Sequence, residues 1–347
     1  MDDVDGHRIA TLRPPVALTL SGGGARGAAQ AGAVVELLEA GFRADIVVGT
    51  SVGAWNGAWV AAHPDPVDAG GLLRWWLDAE VRRVFRGMWL GYAGALAWRR
   101  SAALSAERVE HLLSRAVGST HFDELGLPLS VGAVDLLSGD LVYLDSGRVA
   151  DAVRASSAIP TVLPPVPLED RLFVDGGVVD NFGVNEAVRR GARSIVLVDA
   201  STTEVGRPPV GLGEILDRAT LVAQVHQRRR AMAAAAGAGV PLHVIEVGGL
   251  GSVLDFGHPE RAVEQGRRHA RAWLRGEELP PVTPPASEER RRLVGRWSRL
   301  EARLRRHAGV LPLLRRTGAA ADDSVAILQI EGGDVSTIDD VTPAASG

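Results

Sequence analysis

The chain has 347 residues and a hydrophobic content of 46%, which is enough for one large domain or two smaller ones with packed cores. It contains no Cys and no Lys, which excludes disulfides, thiolate chemistry and lysine-based catalysis. The formal net charge of −4 does not indicate a nucleic-acid-binding protein.

Short apolar runs and helix-like stretches alternate along most of the chain. The pattern predicts, in chain order, a strand, a helix, a strand and a helix at residues 16–20, 25–40, 45–48 and 52–62. It then predicts a hairpin at 129–134 and 140–144, strands at 171–174, 194–198 and 242–247, and helices at 184–190 and 259–274. Asp180 or Asn181 is the expected N-cap of the helix at 184–190. This alternation predicts an α/β domain with a mostly parallel sheet.

The two ends of the chain differ in composition from its centre. Residues 1–14 are predicted to be a tail and residues 15–278 the main domain. Residues 279–287 contain four prolines and are predicted to be a linker. Residues 288–347 combine an Arg-rich stretch at helical spacing with an acidic tail, and their sequence predicts no role.

No targeting or membrane-spanning pattern is evident. The N-terminal residues lack a basic region followed by an apolar one, and no run approaches the ~20 apolar residues of a membrane span. We therefore expect a cytoplasmic protein whose contact with a membrane, if it makes one, is peripheral. The oligomeric state is left open.

A Ser lies between two glycines where the second predicted strand meets the second predicted helix. Gly49, Ser51 and Gly53 fit the nucleophile-elbow pattern, in which a tight strand-to-helix turn exposes the Ser and small flanking residues leave room for it. The alternative is a Gly-rich turn in which Ser51 caps the following helix. The strand before and the helix after favour Ser51 as a nucleophile.

A glycine-rich loop follows the first predicted strand. It comprises Gly22, Gly23, Gly24, Ala25, Arg26 and Gly27. Such a loop also matches the dinucleotide-binding pattern, which requires an acid at the end of the second strand. Here Asp45 lies at the start of that strand, so we favour an oxyanion hole built from the N–H groups of residues 23–25. Arg26 either steadies the loop, faces an anionic head group or faces solvent.

The proton acceptor for Ser51 has two candidate types. Asp175 ends a predicted strand and is followed by Gly176 and Gly177, so its carboxylate is placed at an edge of the sheet where ligands gather. Taken alone, an Asp-Gly-Gly sequence is also a common turn. The chain has nine His residues, none within a recognisable motif, and a Ser–Asp–His triad using His226 or His258 is the alternative.

Together these motifs resemble the patatin-like phospholipase family in order and spacing. The resemblance extends over about residues 15–275, and a proline loop around residues 155–165 matches as well. It implies a three-layer α/β/α fold and a patatin-like acyl hydrolase domain at residues 15–278. The Arg-rich stretch after the linker, to which the resemblance does not extend, predicts a C-terminal helical extension. The resemblance also implies a Ser51–Asp175 dyad that cleaves fatty-acyl esters through an acyl-enzyme, without metal or cofactor. The implied partner is a lipid ester.

Six of the eight Trp residues lie between positions 55 and 98. The apolar stretch at residues 88–98 is flanked by Arg, a pattern typical of segments that lie in a membrane interface. We favour a lid that packs on the active site over a membrane anchor. A lipid-binding protein without catalysis is the non-enzymatic alternative, and the intact motifs argue against it.

Overall fold

The structure is a computed structural model that describes residues 7–81, 106–117, 121–160, 163–201, 212–248 and 258–277. The predicted linker, the extension at 288–347 and the Trp-containing stretch at 88–98 lie outside these ranges, as do the first six residues. Of the helices within these ranges, none combines the length and hydropathy that crossing a bilayer requires.

Within these ranges, eight strands form a single sheet with helices around it. The strands are β1 Val16–Leu20, β2 Ile46–Thr50, β3 Leu129–Asp135, β4 Leu141–Leu144, β5 Val166–Leu168, β6 Arg171–Asp175, β7 Ser194–Asp199 and β8 Leu242–Glu246. The α-helices are α1 His7–Ala10, α2 Gly27–Glu39, α3 Val52–Ala62, α4 Gly70–Leu77, α5 Ala106–Val117, α6 Val149–Ser156, α7 Val184–Arg189, α8 Leu212–Gly237 and α9 Pro259–Leu274. The long helix α8 is an element that the sequence analysis did not predict.

The sheet is mixed but mostly parallel. Its order is β5-β6-β3-β2-β1-β7-β8, with β4 paired to β3 outside this path. The strands β3, β2, β1, β7 and β8 run parallel to one another. By contrast, β4 and β6 pair antiparallel with β3, and β5 pairs antiparallel with β6. The predicted parallel sheet and the predicted β3–β4 hairpin are both confirmed.

The central strand β1 separates two layers of helices. Because successive strand residues face opposite sides of a sheet, alternate residues of β1 enter different cores. Val16, Leu18 and Leu20 lie in the same core as α2, α3 and α9. Ala17 lies in a second core with α7 and α8. The three-layer α/β/α arrangement is therefore confirmed for the described residues.

β2 and β6 both pair with β3, and this pairing places the ends of β2 and β6 at neighbouring positions along β3. Two predicted site residues, Ser51 and Asp175, lie at these ends. Thr50, which precedes Ser51, is in register with Gly132 of β3. Asp175, the last residue of β6, is in register with Ala133, the next residue along β3. Asp175 thus reaches the predicted edge from an antiparallel strand, because β3 continues beyond the end of β2.

Helices α2 and α9 pack closely through glycine. A Cβ added at Gly266 of α9 would overlap the backbone carbonyl oxygen of Ala29, and one at Gly32 of α2 would overlap that of Val263. The close approach of the two backbones therefore depends on the missing side chains. Because α2 begins directly after the glycine-rich loop, this contact also fixes the helix that supports the loop.

We expect Gly266→Ala to lower the free energy of unfolding by about 1–3 kcal/mol, because the new methyl group must push two helix backbones apart. Gly237→Ala is the matched control, since a Cβ there meets no atom within 4 Å. Its stability should be unchanged or raised by up to about 1 kcal/mol through helix propensity. Urea unfolding measures both; equal effects of the two substitutions would contradict close packing at Gly266.

Candidate active site

Ser51 occupies a strained turn between β2 and α3. Its backbone angles are φ 56° and ψ −123°, a conformation that side-chain-bearing residues rarely adopt. The flanking glycines permit this turn: a Cβ at Gly49 would lie 2.5 Å from the Gly53 carbonyl oxygen, and one at Gly53 would overlap the Leu20 carbonyl oxygen. The turn has the strand-to-helix setting and the strain that the elbow motif predicts.

The contacts of Ser51 separate the two interpretations of its motif. Ser51 stands at the N-cap position of α3, but its side chain makes no capping hydrogen bond. Its N–H donates to Oγ of Ser156 at 2.8 Å, and that hydroxyl donates to the Gly132 carbonyl at 2.6 Å. The Ser51 hydroxyl instead interacts with Asp175, since it lowers the pKa of that carboxyl group. The helix-cap alternative is therefore wrong.

Asp175 is a buried carboxyl group with only 6% of its surface exposed. Its Oδ1 accepts the N–H of Gly177 at 2.8 Å, which closes the turn through Gly176. Burial raises the pKa of Asp175 from its ordinary value of 3.8 to about 6, although hydrogen bonds from Ser51 and Gly177 lower it. A carboxyl group with this pKa is a stronger base than an exposed aspartate.

The glycine-rich loop lies against Ser51. A Cβ added at Gly22 would lie 3.0 Å from Cβ of Ser51, and one at Gly27 would overlap the side chain of Val52. Gly24 has φ 58° and begins a 3₁₀ turn at Gly24–Arg26 that precedes α2. Within the described residues no acceptor is recorded for the N–H groups of Gly23, Gly24 or Ala25. They are the groups predicted to form the oxyanion hole.

Two residues of the loop behave differently from the expectation. The N–H of Gly22 is already bonded to Oδ1 of Asn181 at 3.1 Å. Arg26 is buried, with 2% of its surface exposed, so the solvent-facing alternative for this side chain is wrong. The Asn181 side chain therefore holds the start of the loop at Gly22.

Sequence reasoning missed two amide side chains beside the site. Asn181 was predicted only as a possible N-cap of α7, yet Gly183 is the N-cap and Asn181 bonds to Gly22. Gln227 lies on the unpredicted helix α8 and bonds to Asn181 and to the turn after Asp175. Side chains that bond across 46 to 159 positions leave no local sequence pattern by which to find them.

The two histidines of the alternative triad lie apart from this arrangement. His226 and His258 are both exposed. Over the residues that the structure describes, neither has a recorded hydrogen bond to Ser51 or Asp175. In the same ranges, no group of three or more His, Asp or Glu side chains is arranged to hold a metal ion.

Four of the six clustered Trp residues lie in described segments and pack internally. Trp55 stacks on Trp75 with ring centroids 5.6 Å apart, and its Nε1 donates to Oγ of Ser157 at 2.9 Å. A cavity of about 380 Å³ is lined in part by Trp59, His63 and Arg115. His63 lies just beyond the end of α3 opposite Ser51, and Ser51 is not among the residues that line this cavity.

Comparison with known proteins places this site in a family. Residues 18–188, which include the glycine-rich loop, Ser51 and Asp175, match the family model "Patatin-like phospholipase". The chain contains a patatin-like phospholipase domain. The resemblance predicted from the sequence motifs is confirmed, whereas the roles of the individual residues stay predictions.

Relatives of the patatin-like domain include much longer proteins. "Lysophospholipase NTE1" of Coccidioides immitis is 31% identical over 214 residues, which is 61% of this chain and 13% of that protein. An uncharacterized NTE family protein of Mycobacterium bovis is 34% identical over 196 residues, covering 56% of this chain and 32% of that protein. The chain therefore spans a third or less of these relatives.

Two solved structures resemble the patatin-like domain more distantly. VipD from Legionella pneumophila has 14% identity and a TM-score of 0.42, covering 77% of this chain and 68% of VipD. ExoU from Pseudomonas aeruginosa, in complex with SpcU, has 20% identity and a TM-score of 0.30, covering 65% of this chain and 53% of the other.

The raised pKa of Asp175 predicts how the free energy of unfolding depends on pH. A carboxyl group with a higher pKa in the folded chain binds more protons there, so between pH about 4 and 6 unfolding becomes easier as pH rises. We expect Asp175→Asn to be more stable than wild type at neutral pH by on the order of 3 kcal/mol, with the difference vanishing near pH 4. Urea unfolding across this range measures it; an Asn variant less stable at pH 7 would contradict a destabilising buried carboxylate.

Proposed function

We propose that this patatin-like domain is a serine acyl hydrolase that cleaves fatty-acyl esters of lipids with a Ser51–Asp175 dyad. The observation that carries the proposal is the interaction of the strained Ser51 with Asp175, a buried carboxyl group whose pKa is raised to about 6. A nucleophile bonded to a base of suitable pKa is the requirement for acyl transfer.

The first half of the proposed reaction forms an acyl-enzyme. Oγ of Ser51 attacks the ester carbonyl carbon while Asp175 takes the hydroxyl proton. The negative charge on the carbonyl oxygen is stabilised by the N–H groups of Gly23, Gly24 and Ala25. The tetrahedral intermediate then collapses, and Asp175 returns the proton to the departing alcohol.

The second half of the reaction releases the fatty acid. Asp175, again ionised, accepts a proton from a water molecule that attacks the acyl carbon. The same N–H groups stabilise the second tetrahedral intermediate. Its collapse breaks the bond to Oγ of Ser51, which recovers the proton from Asp175.

The substrate class follows from the family and from the names of the relatives. The family model is that of a phospholipase, and several relatives are named lysophospholipases. We therefore propose phospholipids and lysophospholipids as the first substrates to test. Such substrates lie in membranes or micelles, which is consistent with the expected peripheral contact of a cytoplasmic protein with a lipid surface.

Ser51→Ala and Asp175→Asn should each lower the rate of p-nitrophenyl butyrate and lysophosphatidylcholine hydrolysis by about 10⁴-fold or more, because either change disables the whole dyad. Ser51→Ala should also abolish labelling by a fluorophosphonate probe. His226→Ala and His258→Ala are matched controls and should retain wild-type rates. A large loss in either His variant would favour the triad, and a folded wild-type protein that neither hydrolyses nor labels would favour a lipid-binding role.

The pH dependence offers a separate test of Asp175 as the base. Because only the carboxylate can accept the Ser51 proton, kcat/KM should fall tenfold per pH unit below an inflection near pH 6 and level off above it. The profile is measured with p-nitrophenyl butyrate in His226→Ala as well as in wild type. An inflection that disappears in the His variant would identify His226 as the base instead.

A further inference from the structure

The oxyanion loop and the acid turn are joined by one buried amide. Asn181, which is 1% exposed, accepts the Gly22 N–H with Oδ1 at 3.1 Å and donates from Nδ2 to the Gly22 carbonyl oxygen at 3.2 Å. Both backbone polar groups of Gly22 are therefore bonded to the same side chain. This pairing fixes the orientation of the residue that precedes the proposed oxyanion donors.

Asn181 is itself held by a second buried amide. Gln227 of α8 accepts the Asn181 N–H with Oε1 at 3.1 Å. Its Nε2 donates to the carbonyl oxygens of Gly177 and Val178, at 3.1 Å each. Gln227 therefore connects Asn181 to the turn that follows Asp175.

The Asn181 amide oxygen lies against both Gly22 and Gly177. A Cβ at Gly22 would lie 2.5 Å from its Oδ1 and 3.0 Å from Cβ of Ser51. A Cβ at Gly177 would lie 2.8 Å from the same Oδ1 and 3.1 Å from Oδ1 of Asp175. The amide oxygen is thus wedged between a loop that touches the nucleophile and a turn that touches the base.

We propose that Asn181 and Gln227 are positioning residues that hold the oxyanion loop in register with the Ser51–Asp175 pair. The inference rests on the proposed function. Neither side chain needs to touch the substrate, because each acts through the backbone it holds. Misplacing catalytic donors by about 1 Å can cost about 10²-fold in rate, so a loosened loop should be visible in the chemical step.

This role differs measurably from a purely structural one. Weaker oxyanion stabilisation lowers kcat and leaves ground-state binding unchanged, so KM should stay constant. A loss that acted through Asp175 would move the inflection of the pH profile away from about 6. A loss that acted through the oxyanion loop should lower kcat equally at every pH.

Two variants and a control test the proposal on the full chain. Asn181→Leu keeps the branched shape of the side chain without its hydrogen bonds, and Gln227→Met keeps the length of Gln227 without its polar groups. Ser130→Ala is the control, because it also removes a buried hydrogen bond, to Glu186 at 3.2 Å, but one that involves neither the glycine-rich loop nor the turn after Asp175. Rates with p-nitrophenyl butyrate, pH profiles and urea unfolding are measured for all three.

We expect Asn181→Leu to lower kcat by about 10²–10³-fold and Gln227→Met by about 10-fold or more, with KM within about twofold of wild type and the pH inflection unmoved. Ser130→Ala should lose stability and keep wild-type kcat. Folded variants with wild-type kcat, an equal loss in Ser130→Ala, or failure of both variants to fold would each overturn the proposal. If wild type is inactive and unlabelled by fluorophosphonate, the proposed function fails as well; if wild type is active, only the positioning role fails.

Discussion

Ser51 lies beside Asp175 because the two chain segments approach each other closely at glycines, which have no side chain to keep them apart. The interaction of the two side chains requires β2 to end in a left-handed turn and requires β6 to end beside Ala133. Gly53 then lies against the carbonyl of Leu20, and a Cβ at Gly176 would overlap the carbonyl of Gly132. Any side chain at these points would separate the strands whose ends carry Ser51 and Asp175.

The site combines two unfavourable features that the surrounding structure must hold in place. A left-handed backbone at a non-glycine residue costs about 1–3 kcal/mol, and a buried carboxylate adds its own desolvation. The strained turn is held by Ser156, which bonds to the Ser51 N–H, and by the packing of α3 on the sheet. The glycine-rich loop is supported by Gln30, whose Nε2 donates to the carbonyls of Ser21 and Val198. The strain therefore persists because several bonds from outside the turn determine its shape.

The sequence predicted those residues of the site that lie within short, recognisable motifs. Glycines that flank Ser51 and follow Asp175 mark tight turns, and short apolar runs mark the strands before them. The helix predicted at residues 25–40 begins at Gly27 instead, because Gly24 adopts φ 58° and opens a 3₁₀ turn first. Asp45, which argued against a nucleotide site, accepts the Val16 N–H at 2.6 Å at the start of the sheet.

What the sequence did not predict are contacts that only the tertiary fold creates. The long helix α8 places Gln227 beside Asn181, and the direction of β6 depends on pairing with β3. Neither follows from propensity or periodicity, since an antiparallel strand and a parallel one share the same alternation. An Asn after a glycine turn is also a good helix cap, so the local interpretation of Asn181 was reasonable and its long-range bond to Gly22 was hidden.

The topology explains why such a bond is needed. Ser51 and the glycine-rich loop both lie within the first 60 residues, after the adjacent parallel strands β2 and β1, whose ladder fixes them relative to each other. Asp175 follows more than 100 residues later on β6, which is separated from β2 by β3. The hydrogen bonds between β3 and β6 fix the position of Asp175 along β3. They do not connect Asp175 to the loop that follows β1. The Asn181 amide spans that interval directly, because it follows the turn after Asp175 and bonds to Gly22.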